Sequence, residues 1–152
     1  MNILDPLPLV WRDRTLSVLR IAASFMFMLH GTQKLFGVPT IEPREPVELM
    51  SLFGVAGVLE VFGGFLLLIG LFTRVVAFVL SGEMAVAYFM VHLPQNPWPV
   101  LNGGEPAALY AFLFLYFAVA GAGVWSVDAQ WRRGRHAPGT YASADHAGRG
   151  AT

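Results

Sequence analysis

Hydrophobic residues fall in four long runs, at 16–36, 49–71, 75–91 and 106–125, separated by short polar or proline-rich connections. Each run holds about 17–23 residues, the length a helix needs to cross the hydrocarbon core of a bilayer. Core helices of soluble proteins are usually shorter and carry charge along one side. Here the outward positions are Leu, Phe and Val almost throughout. The pattern predicts an all-α protein, a bundle of four transmembrane helices. The connections fit that reading. Residues 37–48 form a polar loop with Pro39, Pro43 and Pro46, Thr73-Arg74 make a tight turn after Gly70, and 92–105 is a proline-rich loop. The expected organisation is an N-terminal arm over 1–15, a membrane domain over 16–128, and a flexible basic tail over 129–152.

The polar residues inside the runs sort onto faces. Arg20, Ser24, Phe27, Gly31 and Lys34 follow helical spacing and form one stripe, with His30 beside it. In the second run Phe53, Gly57, Glu60, Gly64 and Leu67 share a face, and the glycines one turn either side of Glu60 would let helix backbones approach closely. In the third, Val76, Leu80, Glu83, Ala87 and Met90 share a face. At about 1.5 Å per residue, Glu60 and Glu83 fall near the midplane, Lys34 near one end, and Arg20 near the other. An ionisable residue at such depth is a functional-site candidate, because an unpaired charge in hydrocarbon is costly. The fourth run has no ionisable group apart from Tyr110 and Tyr116.

Three chemistries fit these residues. Lys34 or His30 with Glu60, and Arg20 with Glu83, could be buried ion pairs that fix helix register. Protonatable groups beside an apolar slot could instead hydrogen-bond a quinone and pass protons. A metal is the weakest reading: His30, Glu60 and Glu83 offer imidazole and carboxylate, but no local ligand pair such as Glu-x-x-His occurs. His92, nine residues from Glu83 and close to Pro94, reads as an interfacial loop residue on the opposite face. Asn102-Gly103-Gly104-Glu105 reads as a turn with an acid at a helix start, or as a cap on the outer mouth of a cavity, with Asn102 and Glu105 its polar groups.

Composition sharpens this picture. The 152 residues are 55% hydrophobic and 13% charged, with a mean hydropathy of +0.56, whereas soluble domains carry about 25% charged residues. Net charge is zero, so nothing points to nucleic acid. Cysteine is absent, which excludes disulfides, thiolate ligands and thiol or persulfide chemistry on this chain. Arg12 and Arg14 precede the first run as in a signal peptide. That run is long, contains Arg20 and lacks a small-residue cleavage site, so a retained helix is expected. Arg12, Arg14, Arg74, Arg132, Arg133, Arg135 and Arg149 would lie on one side, against Lys34 and Arg44 on the other. The positive-inside rule then places both termini in the cytoplasm.

These residues carry a resemblance. Arg20 is followed by His30-Gly31-x-x-Lys34-Leu35-Phe36-Gly37, then Glu60 with Gly63-Gly64, then Gly70-Leu71-Phe72-Thr73-Arg74. Glu83 with Ala87, Asn102-Gly103-Gly104-Glu105, and Gly121-x-Gly123 with Ser126-x-Asp128 complete the order. From about residue 16 to 128 the chain resembles the DoxX family of small bacterial membrane proteins. The resemblance implies a bacterial inner-membrane location. It also implies kinship with membrane subunits of quinone-linked oxidoreductases, such as the thiosulfate:quinone type, and with redox-stress complexes. The missing cysteines argue against a sulfur relay here. The combined expectation is an accessory or quinone-interacting subunit that works with a redox-enzyme partner, with Glu60 and Glu83 as proton acceptors. His30 and Lys34 would orient or charge-balance the site, and Arg20 would pair with a carboxylate. A non-catalytic scaffolding subunit and a small transporter are the alternatives. Glycine-rich helix faces also leave room for a homo-oligomer.

Overall fold

The computed structural model describes residues 8–39 and 47–135, and these are helical or in short connections. In chain order the helices are α1 (Leu9–Phe36), α2 (Leu52–Ile69), α3 (Thr73–Ala87, continued by a π turn at Tyr88–His92), α4 (Pro99–Asn102), α5 (Glu105–Ala120) and α6 (Val127–Arg135). α1, α2 and α3 with its π turn are each long and apolar enough to cross a membrane. α5 is equally apolar but has 16 residues. Large apolar side chains such as Phe62, Phe78 and Phe112 are exposed around the perimeter, as expected where the surrounding medium is lipid rather than water.

The helix boundaries have local causes. Ser51 caps α2, its hydroxyl accepting the Gly54 N–H at 3.1 Å. Gly70, with φ of +70°, ends α2 in the left-handed conformation. No side chain would fit there, because a Cβ would collide with Ser126 and lie 3.1 Å from the Arg20 guanidinium carbon. α3 starts at Phe72, a non-glycine residue with φ of +51°. Asp128 holds that conformation from a distance. Its two carboxylate oxygens accept the Phe72 and Thr73 N–H groups at 2.9 Å each, satisfying two orphan donors at a helix start where negative charge is favoured.

The packing is uneven. α1 lies along α2, and α3 lies along α5, while the α2–α3 contact is looser. Phe27 of α1, fully buried, joins the two pairs by meeting Phe114 and Tyr110 of α5 at centroid distances of 4.8 and 5.2 Å. The stripe expected on α1 is the buried one: Arg20, Ser24, Phe27 and Gly31 all lie inside. On α2 the buried set is Gly54, Gly57, Glu60, Gly64 and Leu67. On α3 it is Thr73, Ala77, Leu80 and Met84, so Glu83 sits on the flank of the buried stripe rather than at its centre.

Three boundaries differ from the sequence expectation. The fourth apolar run stops being helical at Ala120, not near 125. Gly121 and Gly123 take φ of +89° and +74° and the chain unwinds. A Cβ on Gly123 would collide with Ser17 Oγ, which accepts the Trp125 N–H at 3.1 Å. Residues 127–135, expected to belong largely to a flexible tail, form α6. Its Ala129 is buried and its Trp131 packs edge-on against Phe72 at 5.8 Å. α1 begins at Leu9, inside the expected arm. Arg44 and the acids Glu42 and Glu45 of the first loop, and the tail beyond Arg135, lie outside the described residues.

Arg20 closes the arginine-rich end of the bundle. Its guanidinium is bound by backbone carbonyls, and the carboxylate within its electrostatic range is that of Asp128 rather than Glu83. Nε donates to Ala122 O at 2.9 Å, Nη1 to Leu67 O and to Leu68 O (the latter at 2.6 Å), and Nη2 to Trp125 O at 2.6 Å. Leu67 and Leu68 are last-turn residues of α2 whose carbonyls carry the negative end of the helix dipole, and Leu67 O also accepts the Gly70 N–H at 3.0 Å. Ala122 and Trp125 belong to the unwound segment, and non-helical backbone at membrane depth is tolerated only where it is satisfied within the protein. Arg20→Gln orphans most of these carbonyls, at roughly 1–3 kcal/mol for each buried acceptor left unmade. It is expected to lower the thermal midpoint of the detergent-solubilised protein by several degrees. A midpoint equal to wild type contradicts this account of Arg20.

Candidate functional site

The site begins where α1 and α2 approach most closely. A Cβ on Gly31 would lie 2.8 Å from the Gly57 carbonyl oxygen and 2.9 Å from Glu60 Cβ, so only glycine permits this crossing. Lys34 is one turn beyond Gly31, and Glu60 is one turn from Gly57. The crossing thereby brings the two charges together, and Lys34 Nζ forms an ion pair with Glu60 Oε1. Glu60 is 1% exposed. Its second oxygen, Oε2, is buried without a hydrogen-bond partner.

Glu83 approaches from α3. Both of its carboxyl oxygens are buried and neither has a hydrogen-bond partner among the described residues. It lies within electrostatic range of Glu60 and Lys34. Its side chain lines a cleft of about 290 Å³ between α2 and α3, walled by apolar side chains such as Phe53, Leu59 and Met90, with Lys34 contributing the cationic group. The cleft exists because bulky residues hold these helices apart where glycines draw α1 and α2 together. Leu59, Val79 and Val86 are each more than a third exposed along it. A buried acid with both oxygens unpaired requires a counterpart, whether a proton, a cation or a donor group on a ligand.

A second cavity, of about 230 Å³, lies on the other side of the ion pair and is lined by His30, Lys34, Glu60, His92 and Tyr110 among others. Lys34 is common to both cavities. The His30 ring stands edge-on to Tyr110 at 6.1 Å. His92, expected as an interfacial loop residue on the opposite face from Glu83, lines this cavity and not the cleft that holds Glu83. A π turn carries it. Leu93 N–H bonds to Tyr88 O at 2.9 Å, five residues back, and the extra residue rotates the downstream chain by about 100° relative to a regular α-helix. His92 Nδ1–H donates to Asn102 O at 3.0 Å. Asn102, buried, fastens the loop: its Nδ2 donates to Asn96 O at 2.6 Å and its Oδ1 accepts the Gly104 N–H at 2.7 Å. A Cβ on Gly104 would meet His92 Cβ at 2.7 Å. Asn102 and Gly104 thus seat His92 on the cavity wall, whereas Glu105 is exposed at the first turn of α5.

Lys34, Glu60, Glu83 and His30 therefore share one polar cluster around two cavities, and Arg20 is not part of it. Sequence reasoning missed His92 and Tyr110. Tyr110 could have been found from its i, i+4, i+7 register with the buried Phe114 and Phe117. His92 could not, because no spacing rule reveals a π turn.

The family model DoxX matches residues 15–93, from the second turn of α1 to just past the π turn. An uncharacterized protein of Haemophilus influenzae is 44% identical over 122 residues, 78% of this chain and 91% of that relative. No solved structure matches the chain.

The ion pair is testable by a double-variant cycle. Lys34→Met leaves the Glu60 carboxyl buried without its cation and is expected to cost about 3–5 kcal/mol. Lys34→Met with Glu60→Met replaces both partners by apolar groups and is expected to recover most of that loss. Unfolding of the three detergent-solubilised proteins gives the comparison, and equal losses in the single and double variants contradict a paired role.

Proposed function

The chain belongs to the DoxX family, and from that premise we propose that it is a quinone-interacting subunit of a membrane oxidoreductase. A single observation carries this reading: the Glu83 carboxyl, with no hydrogen-bond partner among the described residues, on the wall of an apolar cleft that also holds the Lys34 ammonium. A quinone ring is flat, apolar on its faces and polar only at its two carbonyls. Such a headgroup enters the cleft between α2 and α3 from the lipid and places one carbonyl against Lys34, while Glu83 gives or takes a proton as the ring is reduced or oxidised. Glu60, held by Lys34 and with one oxygen unused, is the next proton acceptor. Electrons come from a redox partner protein, since quinone reduction needs two electrons and two protons and this chain contributes only the protonatable groups.

In this proposal the protein sits in the bacterial inner membrane with four crossings and both termini in the cytoplasm. α5 with the unwound residues 121–126 makes the fourth crossing. The clustering of Arg12, Arg14, Arg74, Arg132, Arg133 and Arg135 at the end closed by Arg20 supports the orientation. A scaffolding subunit without turnover is the second reading, favoured by the Lys34–Glu60 pair as a device that fixes helix register. The transporter reading is weaker, because the polar cluster does not continue past the carbonyl-bound Arg20 toward the arginine-rich end.

Titration of the purified full-length protein with a short-chain quinol, whose hydroxyl donates to the Glu83 carboxylate, tests the proposal in detergent. Saturable binding is expected for wild type. Glu83→Gln is expected to weaken it about tenfold or more, as for a lost charge-assisted hydrogen bond worth roughly 1.5–3 kcal/mol, while Glu105→Gln leaves it unchanged. Absence of saturable binding to wild type, or equal affinity in the Glu83→Gln protein, removes the quinone reading.

A further inference from the structure

We infer that the arginine-rich end of the bundle carries a binding site for the phosphodiester headgroup of an anionic phospholipid, in the crevice between α6 and the unwound segment 121–124. Two adjoining hollows, of about 460 and 350 Å³, occupy this end and share Arg74, Gly121, Ala122 and Arg132. Arg133 lines the first and Arg135 the second. The acids there are Asp13, on the wall of the first, and Asp128, on the wall of the second. Both Asp128 oxygens are engaged by the Phe72 and Thr73 N–H groups. The cationic groups therefore outnumber the acids in each hollow.

Arg74 gives the crevice a directed donor. Its Nη1 is anchored on the end of α5, donating to Val119 O at 2.8 Å and Ala118 O at 3.3 Å. The opposite Nε–Nη2 edge makes no hydrogen bond among the described residues and faces Gly121. A Cβ placed there would stand 3.5 Å from Nη2 and 3.6 Å from Nε. Glycine at 121 thus leaves open the fork that binds a phosphate bidentately. The level is right for a headgroup. Trp11, Trp125 and Trp131 all lie at this end and are each 54% exposed, and indoles concentrate at the membrane–water interface. Below the crevice, Val75 and Val119 are 68% and 70% exposed, an apolar wall along which the acyl chains lie.

The test uses the full-length protein in neutral detergent micelles doped with phosphatidylglycerol or phosphatidylcholine, with affinity measured by native mass spectrometry or thermal stabilisation. Wild type is expected to bind phosphatidylglycerol more tightly. Arg132→Gln with Arg133→Gln, both on the exposed face of α6, is expected to reduce that preference about thirtyfold, at roughly fivefold for each basic charge near a membrane surface. Arg12→Gln with Arg14→Gln removes the same charge from the same end but outside the crevice, and is expected to keep the preference. Equal affinity for the two lipids overturns the inference. So does an equal loss in both double variants, which marks diffuse attraction rather than a site. Inorganic phosphate that stabilises the protein as much as the lipid does overturns the lipid assignment.

Discussion

A guanidinium buried in a membrane bundle has to exchange water for something equally rich in acceptors, and in this protein the exchange is with backbone. Arg20 takes carbonyls from the last turn of α2 and from the unwound stretch after α5. Charge and helix dipole meet with opposite sign, and the irregular stretch gains the partners it lacks in hydrocarbon. The consequences run along the chain. Fixing residues 121–126 fixes the start of α6 and with it Asp128, which reaches back to hold the first residues of α3. The direction in which α3 leaves that end sets where Glu83 arrives near the bundle centre. The polar cluster is thus positioned from the opposite end of the bundle, by a residue that does not belong to it.

The contrast between two helix interfaces explains why the cluster has space around it. Gly31, Gly57 and Gly64 draw α1 and α2 together until a methyl group would not fit, and van der Waals packing of this kind is what joins helices in lipid. At the α2–α3 interface Gly63 packs against Leu80, and beside Glu83 the cleft is walled largely by Phe, Leu and Val side chains. A close crossing on one side and a cleft on the other place one ion pair, Lys34–Glu60, between two cavities of different character. One is apolar with Glu83 on its wall, and the other carries two histidines and a phenol.

The helix faces were legible in the sequence because they derive from spacing alone. Arg20, Ser24, Phe27 and Gly31 repeat at helical intervals, and glycines one turn from Glu60 announce a close approach. The Lys34–Glu60 contact is a consequence of those faces. What could not be read depends on backbone behaviour that residue type does not encode. Arg20 seemed to need an acid because carbonyls freed by an early helix end are invisible in a hydropathy pattern, and the run 106–125 stays apolar after α5 has stopped. The π turn that carries His92 inward leaves no compositional mark. Phe72 in a left-handed conformation becomes reasonable only once Asp128, far along the chain, is seen to bond its N–H. The small, polar and basic composition from 129 on suggests a flexible tail, although Ala129 and Trp131 anchor 127–135 as a helix.

The brevity of α5 shapes how the molecule meets its solvent. Sixteen helical residues rise about 24 Å, short of a hydrocarbon core of about 30 Å, whereas α1 with 28 residues rises about 42 Å. The first turns of α1 carry Arg12, Asp13 and Arg14, so its apolar part is shorter than its whole length. In the four-crossing arrangement proposed above, residues 121–126 complete the span that α5 begins, and the cost of any mismatch left, a fraction of a kcal/mol for each ångström, grows in thicker, sterol-rich or long-chain bilayers. On that proposal, a crossing finished by unwound chain rather than by helix favours a thin membrane.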